Sequence, residues 1–130
     1  MNLTKRVSVL YVEDNEDSGY MLSVLLGFSK IDVSLVRSVN EAFQSAQNKH
    51  FDLYLLDGRF PEGSGLELCQ KLRELKPKTP IVFYSGEAYE TDKQKGFTAG
   101  ANAYLTKPHV DTVAPTIFQL TKPNSESLNY

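Results

Sequence analysis

The sequence predicts an open α/β domain, one parallel sheet of five strands with helices on both faces. Two observations lead there. Short apolar runs, several of them β-branched, alternate five times with segments of helical periodicity, and such alternation builds a parallel sheet covered on both sides. Four of the runs also stop at a polar group: Glu13-Asp14 after Val7–Val12, Asp57 after Phe51–Leu56, Ser85 after Ile81–Tyr84, and Lys107 after Ala103–Leu105. Open parallel sheets bind ligands at the carboxyl ends of their strands. An acidic pair, an aspartate, a hydroxyl and a lysine are therefore expected along one edge, a plausible divalent-cation and phosphoryl site with a carboxylate nucleophile.

Each element has its own signal. Val7–Val12 reads as a buried strand. Asp14 to Ser18 offers cap chemistry and first-turn acids for a helix, whose apolar face is expected to be Tyr20, Met21, Val24, Leu25 and Phe28. Ile31–Val36 alternates like a half-buried edge strand. Ser38 or Asn40 caps the second helix, with Ala42, Phe43 and Ala46 inward. Phe51–Leu56 is the third strand, and a Gly- and Pro-containing loop spans Gly58–Gly65. The third helix offers Leu66, Leu68, Leu72 and Leu75 to the core, and Pro77 to Pro80 stops it. Ile81–Tyr84 is the fourth strand. The fourth helix covers roughly Thr91–Ala99 and is expected to be short or mobile, because Gly96 inside it costs about 1 kcal/mol relative to alanine. Gly100 suits its C-cap, and Ala103–Leu105 is the fifth strand. In the last helix, Pro115 either takes the first position or disturbs the first turn.

This gives one domain over residues 1–120 and a polar tail or linker start over 121–130, with no internal repeat. Strand order 2-1-3-4-5, the flavodoxin-like order, places the reversal beside the first strand, so Asp14 and Asp57 meet at the switch point. The 130 residues suffice for one core. A net charge of −2 provides no basic footprint for nucleic acid. No run approaches the roughly 20 apolar residues of a membrane span, and Met1–Arg6 does not read as a signal peptide. Cys69 is the sole cysteine and reads as a small buried residue. A reducing, cytoplasmic setting is expected. His50 and His109 fall in loops without metal-ligand company.

The residues that end these strands resemble the receiver domain of two-component response regulators. The likeness runs from about Val7 to Pro108. It rests on Val12-Glu13-Asp14-Asn15, on Leu56-Asp57 followed by Pro61 and Gly65, on Ser85-Gly86-Glu87, and on Gly100-Ala101 with Tyr104 and Lys107-Pro108. The resemblance implies that Asp57 accepts a phosphoryl group from a histidine kinase or histidine phosphotransfer domain. It implies Mg²⁺ (or Mn²⁺) held by Asp14, Asp57 and the backbone carbonyl of Arg59, with Glu13 acting through water. Lys107 should pair with Asp57 in the empty site and with a phosphoryl oxygen in the filled one, behind a cis Lys107–Pro108 bond. Ser85 should donate its hydroxyl to the phosphoryl group, and Tyr104 should switch inward with it, changing the surface of the fourth helix, fifth strand and last helix. Downstream, a protein target is implied, with no nucleic acid or membrane bound through this domain.

Arg59 is individual to this chain. It places a long cation beside an acidic pocket, with Glu87 across the mouth. We expect Arg59 to pair with Glu87, or to fold over the pocket, and in either case to modulate the lifetime of a phosphoryl group. Two other classes compete. A pseudo-receiver would dock partners without phosphorylation, and no acid, acceptor or lysine is lost to favour it. A phosphatase of the haloacid dehalogenase type needs a second aspartate two residues after the nucleophile, where this chain has Arg59. No P-loop pattern is present.

Overall fold

The structure is a computed structural model and describes residues 6–60 and 63–122. Pro61, the leading residues 1–5 and residues 123–130 of the expected tail lie outside the described residues. In chain order the elements are β1 (Val7–Val12), α1 (Glu16–Phe28), β2 (Ile31–Val36), α2 (Val39–Asn48), β3 (Leu53–Leu56), β4 (Arg59–Phe60), β5 (Gly63–Ser64), α3 (Gly65–Leu75), β6 (Ile81–Ser85), α4 (Glu90–Ala99), β7 (Ala103–Thr106), a 3₁₀ turn (Val110–Thr112) and α5 (Val113–Thr121). The main sheet is parallel in the order β2-β1-β3-β6-β7, which is 2-1-3-4-5 among its five strands. Its hydrophobic faces separate by the two-residue period of a strand. Leu10, Val12, Tyr54, Leu56, Ile81 and Phe83 face the side of α2, α3 and α4. Val9, Tyr11, Leu53, Leu55, Val82 and Tyr84 face α1 and α5.

Local chemistry sets the helix boundaries. Asn15 caps α1, its side chain accepting from the Ser18 amide at 2.8 Å. Ser38 caps α2 and Ser64 caps α3 in the same way. Gly100 closes α4 in the left-handed region, at φ 119°. Each cap satisfies amides or carbonyls that the helix end leaves open.

Three expectations need correction. The apolar face assigned to α1 is the wrong one. Gly19, Leu22 and Leu26 are buried, whereas Tyr20, Met21, Val24, Leu25 and Phe28 are exposed, Phe28 by 80% and Tyr20 by 70%. The helix is apolar on most sides, so periodicity could not choose between faces. Gly19 decides it: a Cβ there would stand 3.0 Å from Leu35 Cδ1, so glycine lets the helix lie close on the sheet. The loop after β3 holds a short antiparallel ladder, β4 with β5, pairing Arg59 with Ser64 and Phe60 with Gly63. Pro115 is neither the first helical residue nor a disturbance. It is the third residue of α5, where the missing N–H has no helical acceptor anyway, and a 3₁₀ turn precedes it. Helix α4 runs ten residues without a break through Gly96. Among the described residues, no helix is long and apolar enough to cross a membrane.

Candidate functional site

The backbone at each strand end is fixed by a hydrogen bond that carries the ladder one residue further. The Glu13 amide donates to Val36 O at 3.0 Å, that of Asp57 to Val12 O at 3.0 Å, and that of Lys107 to Ser85 O at 2.8 Å. Strand alternation then sorts the side chains. Glu13 continues the Val9–Tyr11 face, Asp57 the Leu53–Leu55 face and Lys107 the Ala103–Leu105 face, all toward α1 and α5. Ser85 continues the Ile81–Phe83 face toward α4, the side on which Tyr104 packs. The charged cluster and the hydroxyl–tyrosine pair thus start on opposite faces of one sheet and meet at its edge.

Carboxylate oxygens of Glu13, Asp14 and Asp57 lie within 4.8 Å of one another. Lys107 Nζ is 2.6 Å from Glu13 Oε1 and 3.7 Å from Asp57 Oδ1. The expected Lys107–Asp57 pair is therefore the longer of two contacts. Glu13 is 1% exposed, and a buried carboxylate without a cation is costly. Its Oε2 also accepts from the Asn15 amide at 3.2 Å, and its Oε1 from the Tyr11 hydroxyl at 3.3 Å. Asp57 Oδ1 already accepts from the Gly58 amide at 2.7 Å. The lysine ammonium also lies 5.8 Å from the Tyr84 ring centre, a cation–π distance.

Burial, reinforced by the charge of Glu13, lifts the Asp57 carboxyl to about 6, against the opposing pull of Lys107 and the Gly58 amide. Burial pulls the Lys107 ammonium down, but the Glu13 hydrogen bond and the Asp57 and Glu13 charges outweigh it and raise its pKa. Burial and Glu13 together push the Tyr11 hydroxyl up, so it stays a donor.

Asp57, Arg59, Ser85, Gly86, Glu87 and Lys107 line one open cleft. Ser85 is 1% exposed, and its Oγ accepts from the Glu87 amide at 3.1 Å. Arg59 sits on β4 and reaches across the mouth, with Nε and Nη2 each 3.0 Å from Glu87 Oε2. Tyr104 is half-buried. Its ring centre is 5.5 Å from that of Phe83, and its hydroxyl donates to Glu87 O at 2.7 Å. The Lys107–Pro108 peptide bond is cis.

The remaining residues singled out in the sequence stand elsewhere. Cys69 is buried, and burial pushes its thiol up to about 11. His50 is exposed, with Nε2 3.2 Å from Asp52 Oδ1, and His109 is exposed. Two participants were not legible as such. Tyr11 reads from the sequence as part of a strand, although an aromatic hydroxyl at the end of an aliphatic run is a signal in itself. Gly65 follows Asp57 in the motif for a reason only the fold shows: a Cβ there would overlap the Asp57 carbonyl oxygen.

A family model described as the response regulator receiver domain matches residues 9–115. The chain belongs to the response regulator receiver family. The receiver is 33% identical over 125 residues to response regulator protein PilR of Pseudomonas aeruginosa, which covers 93% of this chain and 28% of PilR. It is 34% identical over 100 residues to regulatory protein VanR of Enterococcus faecium, covering 77% of this chain and 43% of VanR. The chain thus spans less than half the length of these relatives. Among solved structures, chemotaxis response regulator CheY4 of Vibrio cholerae superposes with a TM-score of 0.82 at 28% identity, covering 89% of this chain and 99% of CheY4. The non-phosphorylated HemR receiver domain of Leptospira biflexa has a TM-score of 0.83 at 27% identity, covering 92% and 97%. Receiver domains of this family serve as signalling switches in two-component systems rather than as ordinary enzymes. In this receiver the Glu13–Asp14–Asp57 cluster is a donor set of hard oxygens that suits Mg²⁺.

Proposed function

We propose that this receiver is a phospho-accepting switch with Asp57 as acceptor. The observation that carries the reading is the Lys107 ammonium between two strand-end carboxylates, 2.6 Å from one and 3.7 Å from the other, in a cleft shared with the Ser85 hydroxyl. An Asp57 oxygen attacks the phosphorus of a phosphohistidine on a partner histidine kinase or histidine phosphotransfer domain. The O–P bond forms as the N–P bond breaks, and the imidazole nitrogen leaves with the electron pair and takes a proton. Lys107 moves from Glu13 toward a phosphoryl oxygen, and Ser85 donates to another. Mg²⁺ or Mn²⁺, when bound, neutralises the charge that gathers on the phosphoryl oxygens. Asp14, Asp57 and the Arg59 backbone carbonyl would hold it. Glu13, already engaged by Tyr11, Asn15 and Lys107, would act through water. The same groups would catalyse loss of the phosphoryl group to water.

Readout follows Ser85 and Tyr104 to the α4–β7–α5 surface, where a downstream protein would sense the change. Tyr20, Met21, Val24, Leu25 and Phe28 on α1 form an exposed apolar face that begins beside the site, within a turn or two of Asn15. A patch of this kind marks a protein contact, and it supports a protein, rather than only a small molecule, as phosphoryl donor.

Intact mass after incubation with acetyl phosphate tests the proposal. A gain of one phosphoryl group is expected with Mg²⁺, none without it, and none in Asp57→Asn. If neither acetyl phosphate nor a panel of phosphorylated kinases adds mass, the docking-module reading replaces this one.

Arg59 supplies a second prediction. Its guanidinium reaches across part of the mouth to Glu87, so Arg59→Ala is expected to admit more water and shorten the phosphoryl half-life. The pair is exposed, so the effect should not exceed roughly fivefold, the equivalent of ~1 kcal/mol. Decay of the phosphorylated mass with time measures it, and an unchanged half-life rejects the role.

A further inference from the structure

Gly96 places one of the poorest helix formers inside α4, at a cost of roughly fivefold in folding equilibrium constant relative to alanine. Its backbone does not require glycine. The helix continues through it, and Gly100 is the only glycine with positive φ among the described residues. The requirement comes from the space beside it. A Cβ on Gly96 would stand 2.9 Å from Tyr104 Cδ2, 3.2 Å from Tyr104 Cε2 and 3.2 Å from Phe83 Cδ2. A methyl group would therefore wedge between two rings. Phe83 is 1% exposed and enclosed by the core, so it cannot give way. Tyr104 has solvent on one side and would be the ring that moves.

The Tyr104 position matters because of what its hydroxyl holds. It donates to the Glu87 carbonyl at 2.7 Å. The Glu87 amide in turn holds Ser85 Oγ at 3.1 Å, and its carboxylate holds Arg59 Nε at 3.0 Å. Gly96 thus stands at the start of a short chain of contacts that ends on two side chains of the cleft. We propose that Gly96 is a positioning residue for this cleft: by leaving room for the half-buried ring of Tyr104, it fixes Glu87 and, through it, the Ser85 hydroxyl and the Arg59 guanidinium. The inference rests on the phospho-acceptor reading for its consequence, though not for the packing.

The test uses four proteins: wild type, Gly96→Ala, Tyr104→Ala and the double variant. Urea denaturation reads the packing. With Tyr104 absent only the 3.2 Å approach to Phe83 remains, so Gly96→Ala should recover part of the helix gain, raising the folding constant by up to about fivefold. With Tyr104 present, that gain should vanish or reverse. Equal gains in both backgrounds would show the space to be open and overturn the proposal. Titration with beryllofluoride in Mg²⁺, as a phosphoryl mimic, reads the cleft. Gly96→Ala should weaken binding about tenfold in the Tyr104 background and less than twofold in Tyr104→Ala. A structural role alone would leave this affinity unchanged, and that result would overturn the positioning role. If wild type binds no beryllofluoride and takes no phosphoryl group, the phospho-acceptor reading fails and takes the cleft role with it. The urea cycle still decides separately whether Gly96 seats Tyr104.

Discussion

Gly65→Ala is expected to destabilise this receiver by about 3 kcal/mol and to remove phosphoryl acceptance. Inserting a methyl group into a closed site costs roughly 1–3 kcal/mol, and more when backbone must move. Here the obstacle is backbone. The new Cβ would overlap the Asp57 carbonyl oxygen and stand 3.2 Å from Gly58 Cα and 3.1 Å from Phe83 Cε1. None of these neighbours yields easily. Asp57 is tied to Val12 O at 3.0 Å, and Gly65 itself donates to Gly58 O at 3.1 Å. Relief must therefore come from shifting the Asp57–Gly58 turn, which carries the proposed acceptor. Helix propensity alone predicts the opposite sign, a gain of up to ~1 kcal/mol from Gly to Ala. Urea denaturation separates the two. A drop in melting temperature on the order of 10 °C should accompany the loss. A variant of unchanged or higher stability would show that the approach of α3 to the Asp57–Gly58 turn is not a constraint.

The second large effect is electrostatic and depends on pH. Without divalent metal, Asp57→Asn is expected to be more stable than wild type at pH 7.5, and the difference should close by about pH 4. The sign follows from linkage. Folding raises the Asp57 carboxyl from its ordinary value near 3.8 to about 6, first by burial and then by the Glu13 charge. Between these values the folded state binds more protons than the unfolded one, so stability falls as pH rises through that window. Two full pK units would be worth nearly 3 kcal/mol. Because the side chain is 14% exposed and water screens it, an effect of about 1–2 kcal/mol is expected. Mg²⁺ should invert the order: a cation bound to the carboxylates of the folded state stabilises wild type by mass action, and Asp57→Asn far less. Thermal melts of both proteins from pH 4 to 8, with and without Mg²⁺, measure this. A difference that does not vary with pH would mean that Asp57 ionises without penalty in the fold. The raised Lys107 pKa has the same slope, with stability falling as pH rises, but in a different window. Its stabilisation is complete below the ordinary lysine value and fades only as pH rises beyond it, outside the Asp57 window.

Much of this architecture was legible because its signals are local. An apolar run that stops at a polar residue locates a strand end without knowledge of its neighbours, and Glu13, Asp14, Asp57, Ser85 and Lys107 were all found in that way. Ser38 and Gly100 mark helix ends through groups that act on their own turn, as does the Asp14–Ser18 stretch that contains Asn15, whereas Ser64 was not among the expected caps. The order of the sheet followed from alternation and the restricted connections of parallel strands. Pairing of Arg59 with Glu87 was also predictable, since opposite charges two residues beyond two adjacent strand ends have few other partners.

Other features depended on what each side chain meets across the fold. Helix α1 has apolar residues around most of its circumference, and only the fit of Gly19 against Leu35 selects Leu22 and Leu26 for burial. Lys107 has three carboxylates within reach, and the expectation of Asp57 as its partner in the empty site named the longer of its two contacts. Strand parity and the burial of Glu13 bring its oxygen to 2.6 Å and leave Asp57 at 3.7 Å. Gly65 and Gly96 read as a turn residue and a helix defect. Only the approach of Asp57 to one and of Tyr104 to the other shows why a side chain is excluded. By itself, the sequence determined which chemical groups gather at the edge of the sheet, because backbone hydrogen bonding and hydrophobic period act over a few residues. Tertiary structure decided which of those groups touch, because packing and charge pairing act between residues far apart in the chain.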